Sequence, residues 1–502
     1  MIREQAPILL LLAPFICAMA TGLIGSLKPK AGWPLALAGT ALSLAGALVT
    51  LFSVWSAPAH KITYRLGGWA PPQGIEYVVD PLNALILVLV AAVSLLTVIY
   101  SKPSVERELP HKKASFYTLL LLLTSGLLGM AVTGDAFNLY VLLEITSLSS
   151  YALIAMGPGR AAFSCFNYII MGTIGASFYL LGVGYLYIKT GSLNMHDISR
   201  IIAAEGLWTS PSVHIGFLLI LIGVWIKMAF FPLHRWLPNA YTYAPSASSS
   251  LIAPLVTKVS IYVMIRFMYT VFTPGNVFDH ILRERVVVWI AVTAILTGSF
   301  FALSKTNFKG MISYLVIAEV GYMVGGAWLA NRQGLTGAIF HLVSDALMTF
   351  CFFLFAGILM YRRGECRLNS FRGLFKTMPW TMAGFTTAAF SMIGIPPTCG
   401  FFSKWYLIGG GISAGYWEFV AALLISSLVN AVLFFKLIEK AFFESGPEPA
   451  DPAQPTPAVA VKEGPWLMVA PLLTVAAGLV LLGVFSQKVI SFVSLYVATT
   501  GL

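Results

Sequence analysis

Two lysines stand where a lysine is costly. Lys227 and Lys258 sit inside apolar runs of the stretch 223–266, GVWIKMAFFPLHRWLPNAYTYAPSASSSLIAPLVTKVSIYVMIR. A lysine at bilayer depth costs at least ~2.5–3.5 kcal/mol on insertion scales, so it is rarely there without a partner or a task. Between the two, Pro232, His234, Arg235, Pro238 and Pro245 interrupt the apolar pattern. A proline frees the carbonyl one turn back, which a membrane helix tolerates only where it lines protein or water. A broken helix beside a buried lysine is the pattern of an ion path.

Other ionisable residues repeat the theme. Glu144, in FNLYVLLEITSLSSYALIA, is the expected partner of Lys227; alone it would be a protonated structural carboxyl. A lysine whose partner moves away becomes a proton-exchanging group, and Lys258, four residues after Pro254, is placed to receive that proton through water. The bland reading of Lys258 is a lysine snorkelling to the surface. His234 follows the break and either titrates or caps. His341 and Asp345 are four apart in FHLVSDALMTFCFF and share a helix face. Asp345 is expected to support His341 in handing protons across the centre, and Glu319 to tune Lys305, Lys309 or Lys404. Lys404, beside Pro396-Pro397 and Gly400 in GIPPTCGFFSKWYL, is the candidate terminal proton carrier. Lys436, near the end of its apolar run, reads as a snorkeller.

The elements around these residues follow from composition. The chain has 502 residues, 58% hydrophobic and 10% charged, against about 25% charged in soluble domains. With a mean hydropathy of +0.84 this is an all-α polytopic membrane protein. The net charge of +11 belongs to basic loops rather than to nucleic-acid binding. About fourteen apolar segments are long enough to span. They run approximately over 7–27, 33–55, 78–100, 114–133, 135–157, 163–188, 213–233, 245–272, 286–304, 310–330, 334–361, 379–408, 416–443 and 465–497. The seventh and twelfth are interrupted, and the last is expected to bend. Lysines and arginines such as Lys102, Lys112, Lys305, Arg362 and Arg372 crowd alternate loops, which places both termini outside an inner cell membrane.

The two interrupted segments are separated by an odd offset, so the second copy enters the membrane from the opposite side. That predicts an inverted repeat, segments 4–8 (114–272) against 9–13 (273–444), after an N-terminal unit 1–113 and before a linker and last segment at 445–502. The Pro/Ala-rich stretch 445–465 suits a stiff linker or lateral connection. The five cysteines make no metal-ligand spacing, and no Walker A, strand–GxGxxG–helix, CxxC cluster or haem-type histidine pair is present. No cofactor or metal is expected, nor a redox centre within the chain.

The Glu144 stretch, the Lys227–Lys258 stretch and LSKTNFKGMISYLVIAEVGYM resemble the antiporter-like subunits shared by Mrp-type Na⁺/H⁺ antiporters, respiratory complex I and membrane-bound hydrogenases. The resemblance covers roughly segments 4 to 13. It implies fourteen helices, an inverted repeat, proton transfer along a central polar axis, and membrane subunits as partners. It carries the family's glutamate onto Glu144 and its paired lysines onto Lys227 and Lys258. A lysine at Lys404, and the FNLYV run, are most similar to the D-type subunits of Mrp antiporters, which implies H⁺ and Na⁺ as the ions concerned. Alternatives are a subunit of a hydrogenase or quinone-linked complex, or a non-conducting scaffold. The family commonly has histidine and lysine where Asp345 and Thr349 stand, and AYSS where ISYL stands. Restoring that histidine and lysine is therefore expected to be tolerated.

Overall fold

The computed structural model describes residues 2–444 and 462–502. Its helices are α1 (Ile2–Leu27), α2 (Gly32–Ser56), α3 (Pro81–Glu108), α4 (Lys113–Val132), α5 (Ala136–Ala155), α6 (Ala161–Thr190), α7 (Met195–Ala204), α8 (Pro211–Lys227), α9 (Leu237–Tyr243), α10 (Ser246–Arg266), α11 (Pro274–Asn276), α12 (Glu284–Leu303), α13 (Phe308–Trp328), α14 (Arg332–Arg363), α15 (Leu374–Thr377), α16 (Pro379–Ile393), α17 (Cys399–Ser413), α18 (Trp417–Phe443), α19 (Trp466–Val484) and α20 (Ser486–Val497). Among the described residues, 12 helices are long and apolar enough to cross a membrane. The α8–α9 and α16–α17 segments fall outside that number because each is broken: α8 has 17 residues, and α16 and α17 have 15 each. A count of fourteen requires each broken segment to be one crossing.

Helix dominates because a backbone N–H in lipid must be satisfied within its own segment. All 21 residues of α10 are buried, and α14 is buried over nearly its whole length. A helix apolar on every side belongs at the centre of a bundle. By contrast α1, α2, α6 and α18 carry exposed apolar side chains such as Leu23, Leu42, Phe163 and Leu428. The protein thus has a core pair, α10 and α14, packed on each other and ringed by helices with lipid-type surfaces.

Besides the short helices α9, α11 and α15, a hairpin and one further helix lie outside the apolar segments. A hairpin of β1 (Ile62–Arg65) and β2 (Glu76–Val79) pairs antiparallel in the loop between α2 and α3, with Arg65 opposite Glu76. The amphipathic α7 is too short and too polar to register as a span. The last segment breaks at Phe485, between α19 and α20. The linker expected at 445–465 lies outside the described residues except for 462–465.

Candidate functional site

The first break begins where α8 ends, at Lys227. Ala229 takes φ +57°, a left-handed conformation that a non-glycine residue holds only at a cost of ~1–3 kcal/mol, and Phe230 N closes a wide turn on Trp225 O at 2.9 Å. The Ile226 carbonyl, which loses its helical partner Phe230 N to Trp225 O, accepts Trp236 Nε1 at 3.0 Å and Ala229 N at 3.2 Å. Lys227 is therefore left to side chains. Its Nζ lies 3.7 Å from Glu144 Oε1 and donates to Ser147 Oγ at 2.7 Å. Both partners come from α5, which places Glu144 near the middle of its 20 residues. The lysine is buried, whereas the Glu144 side chain is 29% exposed.

The second pair lies between the two central helices. Lys258 Nζ on α10 is 2.8 Å from Asp345 Oδ2 on α14, and both are fully enclosed. Thr349 Oγ1 donates to Asp345 Oδ1 at 3.0 Å, and Lys258 donates more distantly to Ala253 O at 3.4 Å and Thr349 Oγ1 at 3.5 Å. At that distance a buried lysine and carboxylate satisfy each other. The expectation that Asp345 supports His341 is thus corrected. Four-residue spacing puts the two on one face, but a neighbouring helix supplies a cation to one of them. Replacing Asp345 by His and Thr349 by Lys would remove the carboxylate that Lys258 depends on, so the expected tolerance is also revised.

His341 has its own partners. Its Nε2 shares a hydrogen bond of 2.5 Å with Glu319 Oε2 of α13, and its Nδ1 one of 2.8 Å with Ser403 Oγ of α17. All three side chains are buried. Glu319, expected to tune Lys305, Lys309 or Lys404, hydrogen-bonds the imidazole, and of the three lysines its charge acts on Lys404. Lys305 lies over the Tyr314 ring, and Lys309 donates to Ala244 O at 3.2 Å.

The second break sets Lys404. Gly394 ends α16 at φ +96°, and Gly400 lies so close to Ser391 O that a Cβ there would fall 1.9 Å from it. The freed Met392 carbonyl accepts Lys404 Nζ at 2.6 Å, and Ser427 Oγ accepts it at 3.1 Å. Among the described residues Lys404 has no carboxylate partner. Its ammonium lies 5.2 Å from the Tyr322 ring centroid, and that ring is 5.3 Å from the His341 ring, so Tyr322 stands between the two. His234 stacks on Phe231 in the break, and its Nδ1 has no hydrogen-bond partner among the described residues.

Several contributors were not legible beforehand. Ser403, Ser427 and Tyr322 are polar residues in apolar helices, and only their neighbours mark them. The hydroxyls of Tyr151, Tyr168 and Tyr241 are buried without a hydrogen-bond partner among the described residues. They follow one another from α5 to α9 through ring contacts, Tyr151 on Tyr168, Tyr168 on Trp236 and Trp236 on Tyr241. At the end of α10, Arg266 makes a bidentate pair with Asp80, 2.6 Å and 3.0 Å, in a cavity of about 640 Å³ that Tyr496 helps line. The Asp80-Pro81 start of α3 signals a helix cap but not an arginine partner. At the other end of α10, Glu108 Oε2 accepts Ser246 N at 2.9 Å beside Lys309, in a cavity of about 350 Å³.

Buried acid–base groups meeting at mid-helix on a polytopic scaffold are the features of an antiporter-like membrane subunit. The family model "NADH:quinone oxidoreductase/Mrp antiporter, TM" matches residues 133–430, and the chain belongs to that family. It is 43% identical over 494 residues to the N subunit of NADH-quinone oxidoreductase from Desulforudis audaxviator, covering 98% of both chains. It is 31% identical over 415 residues to the D-type Na(+)/H(+) antiporter subunit of Bacillus subtilis, covering 82% of this chain and 83% of the relative. A chain from the membrane-bound sulfane sulfur reductase, an archaeal respiratory membrane complex, superposes with a TM-score of 0.88 at 30% identity, covering 99% of this chain and 98% of that one.

Proposed function

We propose that this chain is a proton-translocating subunit of a multisubunit membrane complex. The observation that carries it is the series Glu144–Lys227, Lys258–Asp345, Glu319–His341 and Lys404, in which each pair joins a different two helices and every side chain but the part-exposed Glu144 is buried. A proton entering such a series changes which partner each lysine or histidine keeps. Burial makes any uncompensated charge expensive, so a charge change in one pair biases the next. The hydroxyls of Ser147, Thr349, Ser403 and the tyrosines provide relay and hydration between pairs. The two interrupted segments support an inverted repeat of 114–272 and 273–444, with the breaks admitting water from opposite faces and both termini outside.

The complex is read as one driven by electron transfer in partner subunits, with no redox centre in this chain. The higher identity and fuller coverage against a quinone oxidoreductase subunit, and the fold likeness to a respiratory complex at 30% identity, support that reading. A second reading, Na⁺/H⁺ antiport of the Mrp D type, is favoured by Lys404 and by the antiporter relatives. The test is proton flux in sealed vesicles carrying the assembled complex. Flux that needs an electron donor and acceptor supports the first reading. Flux driven by a Na⁺ gradient without them supports the second. No proton flux under either condition, with the complex intact, would sink both.

A further inference from the structure

Lys436 takes no part in the buried series. It is exposed on α18, one turn before Lys440, so the two ammonium groups share a helix face. Opposite them the 3-10 turn Leu368–Phe371 brings Arg367 and Asn369. These residues, with Leu303 and Val432, line a cleft of about 590 Å³ between the end of α12, the start of α13 and the last turns of α18. Lys440 Nζ donates to Asn369 Oδ1 at 2.6 Å, and Arg367 Nε lies 3.6 Å from the exposed carboxylate of Glu365. Lys436 makes no hydrogen bond or ion pair among the described residues. Glu439 is next to Lys440 in sequence but does not line the cleft. Beneath the cations the walls are apolar and open: Leu303 is 45% and Val432 55% exposed, with Leu433 and Leu437 buried behind.

Cations above an exposed apolar wall, at the ends of spanning helices, complement a phosphate joined to acyl chains. We propose that this cleft binds an anionic phospholipid, its phosphate held by Lys436, Lys440 and Arg367 and an acyl chain lying along Val432 and Leu303. Basic pockets between helix ends recognise such headgroups, each near-surface cation contributing about 1 kcal/mol. Long lysine stems that reach the interface cover the apolar wall as they do so. The occupant is a lipid rather than a free anion because the apolar wall offers a free phosphate nothing.

The assembled complex, stripped with mild detergent, would be offered micelles containing phosphatidylglycerol or phosphatidylcholine, and retained lipid counted by native mass spectrometry. Phosphatidylglycerol should be retained in preference to phosphatidylcholine. Lys436→Gln should weaken retention about fivefold, and Lys436→Gln with Lys440→Gln and Arg367→Gln roughly a hundredfold, with Lys436→Arg restoring it. The melting temperature of each variant, measured without lipid, should match that of the wild type. Equal retention by the triple variant, equal retention of both lipids, displacement of phosphatidylglycerol by millimolar inorganic phosphate, or a wild-type complex that retains none because a partner subunit covers the cleft would each overturn the proposal.

Discussion

The two helix breaks dispose of their freed carbonyls differently. After α8 the Ile226 carbonyl is taken by the Trp236 indole, and Lys227 turns to a carboxylate and a hydroxyl. After α16 the Met392 carbonyl is taken by Lys404 itself, with Ser427 as second acceptor and no carboxylate partner among the described residues. Lys227 is held by a carboxylate and a hydroxyl of a neighbouring helix; Lys404 is held by the break. The first arrangement suits a switch, since moving Glu144 changes the cost of the lysine's charge. The second suits a terminal group that gains or loses its proton as the break hydrates or dries. Between them, the Lys258–Asp345 and His341–Glu319 side chains are fully enclosed.

The largest expected effect is at the central pair, which belongs to neither break. Asp345→Leu strands Lys258 in the driest part of the protein and should cost about 3–5 kcal/mol of stability, along with transport. The double variant Lys258→Met with Asp345→Leu should recover most of the melting temperature and none of the flux. Thermal unfolding in detergent and proton flux in vesicles read the two separately. Full stability of Asp345→Leu would show that Lys258 is not held by this carboxylate. By the same argument Asp345→His with Thr349→Lys should lower protein yield rather than raise conduction.

Next come the residues of the first break. Glu144→Ala or Lys227→Ala should abolish flux with assembly largely intact, because Glu144 is part-exposed and Ser147 still offers the lysine an acceptor. Quantifying complex in the membrane beside the flux distinguishes loss of function from loss of protein. Robust flux from either variant at normal protein level would remove this pair as the switch.

Lys404 sharpens the contrast. Lys404→Leu should lose flux, having no titrating group, while Lys404→Glu should keep part of it, since a carboxyl can also carry a proton there. The same exchange at the first break, Lys227→Glu, should retain nothing, because it would set two carboxyls against each other. Equal flux in wild type and Lys404→Leu would place the exit elsewhere. The smallest effect is expected at Ser403→Ala, which removes one hydrogen bond to His341 and leaves Glu319 in place; a net cost of about 0.5–1.5 kcal/mol should appear as a severalfold slower flux. No change in rate would mean that Ser403 neither orients the imidazole nor relays a proton.

Hydropathy alone determined the class and the approximate spans, because a bilayer imposes its length on every crossing, but it put Lys309 in a loop although that lysine is buried, and Lys436 at depth although it is exposed. Proline and glycine positions located both breaks for a similarly local reason. The pairing of Lys227 with a carboxylate on α5 was legible as the one acid at matching depth nearby. Asp345 and Glu319 were not, since helical spacing fixes the face a residue shares but not the helix packed against that face. Asp345 looked like the companion of His341 until α10 brought Lys258 to it, and Glu319 looked like a partner for a lysine until α14 brought the imidazole. Only the packing of α10, α13, α14 and α17 decides which charges meet, because each of those helices is apolar nearly all round and its orientation is set by its neighbours.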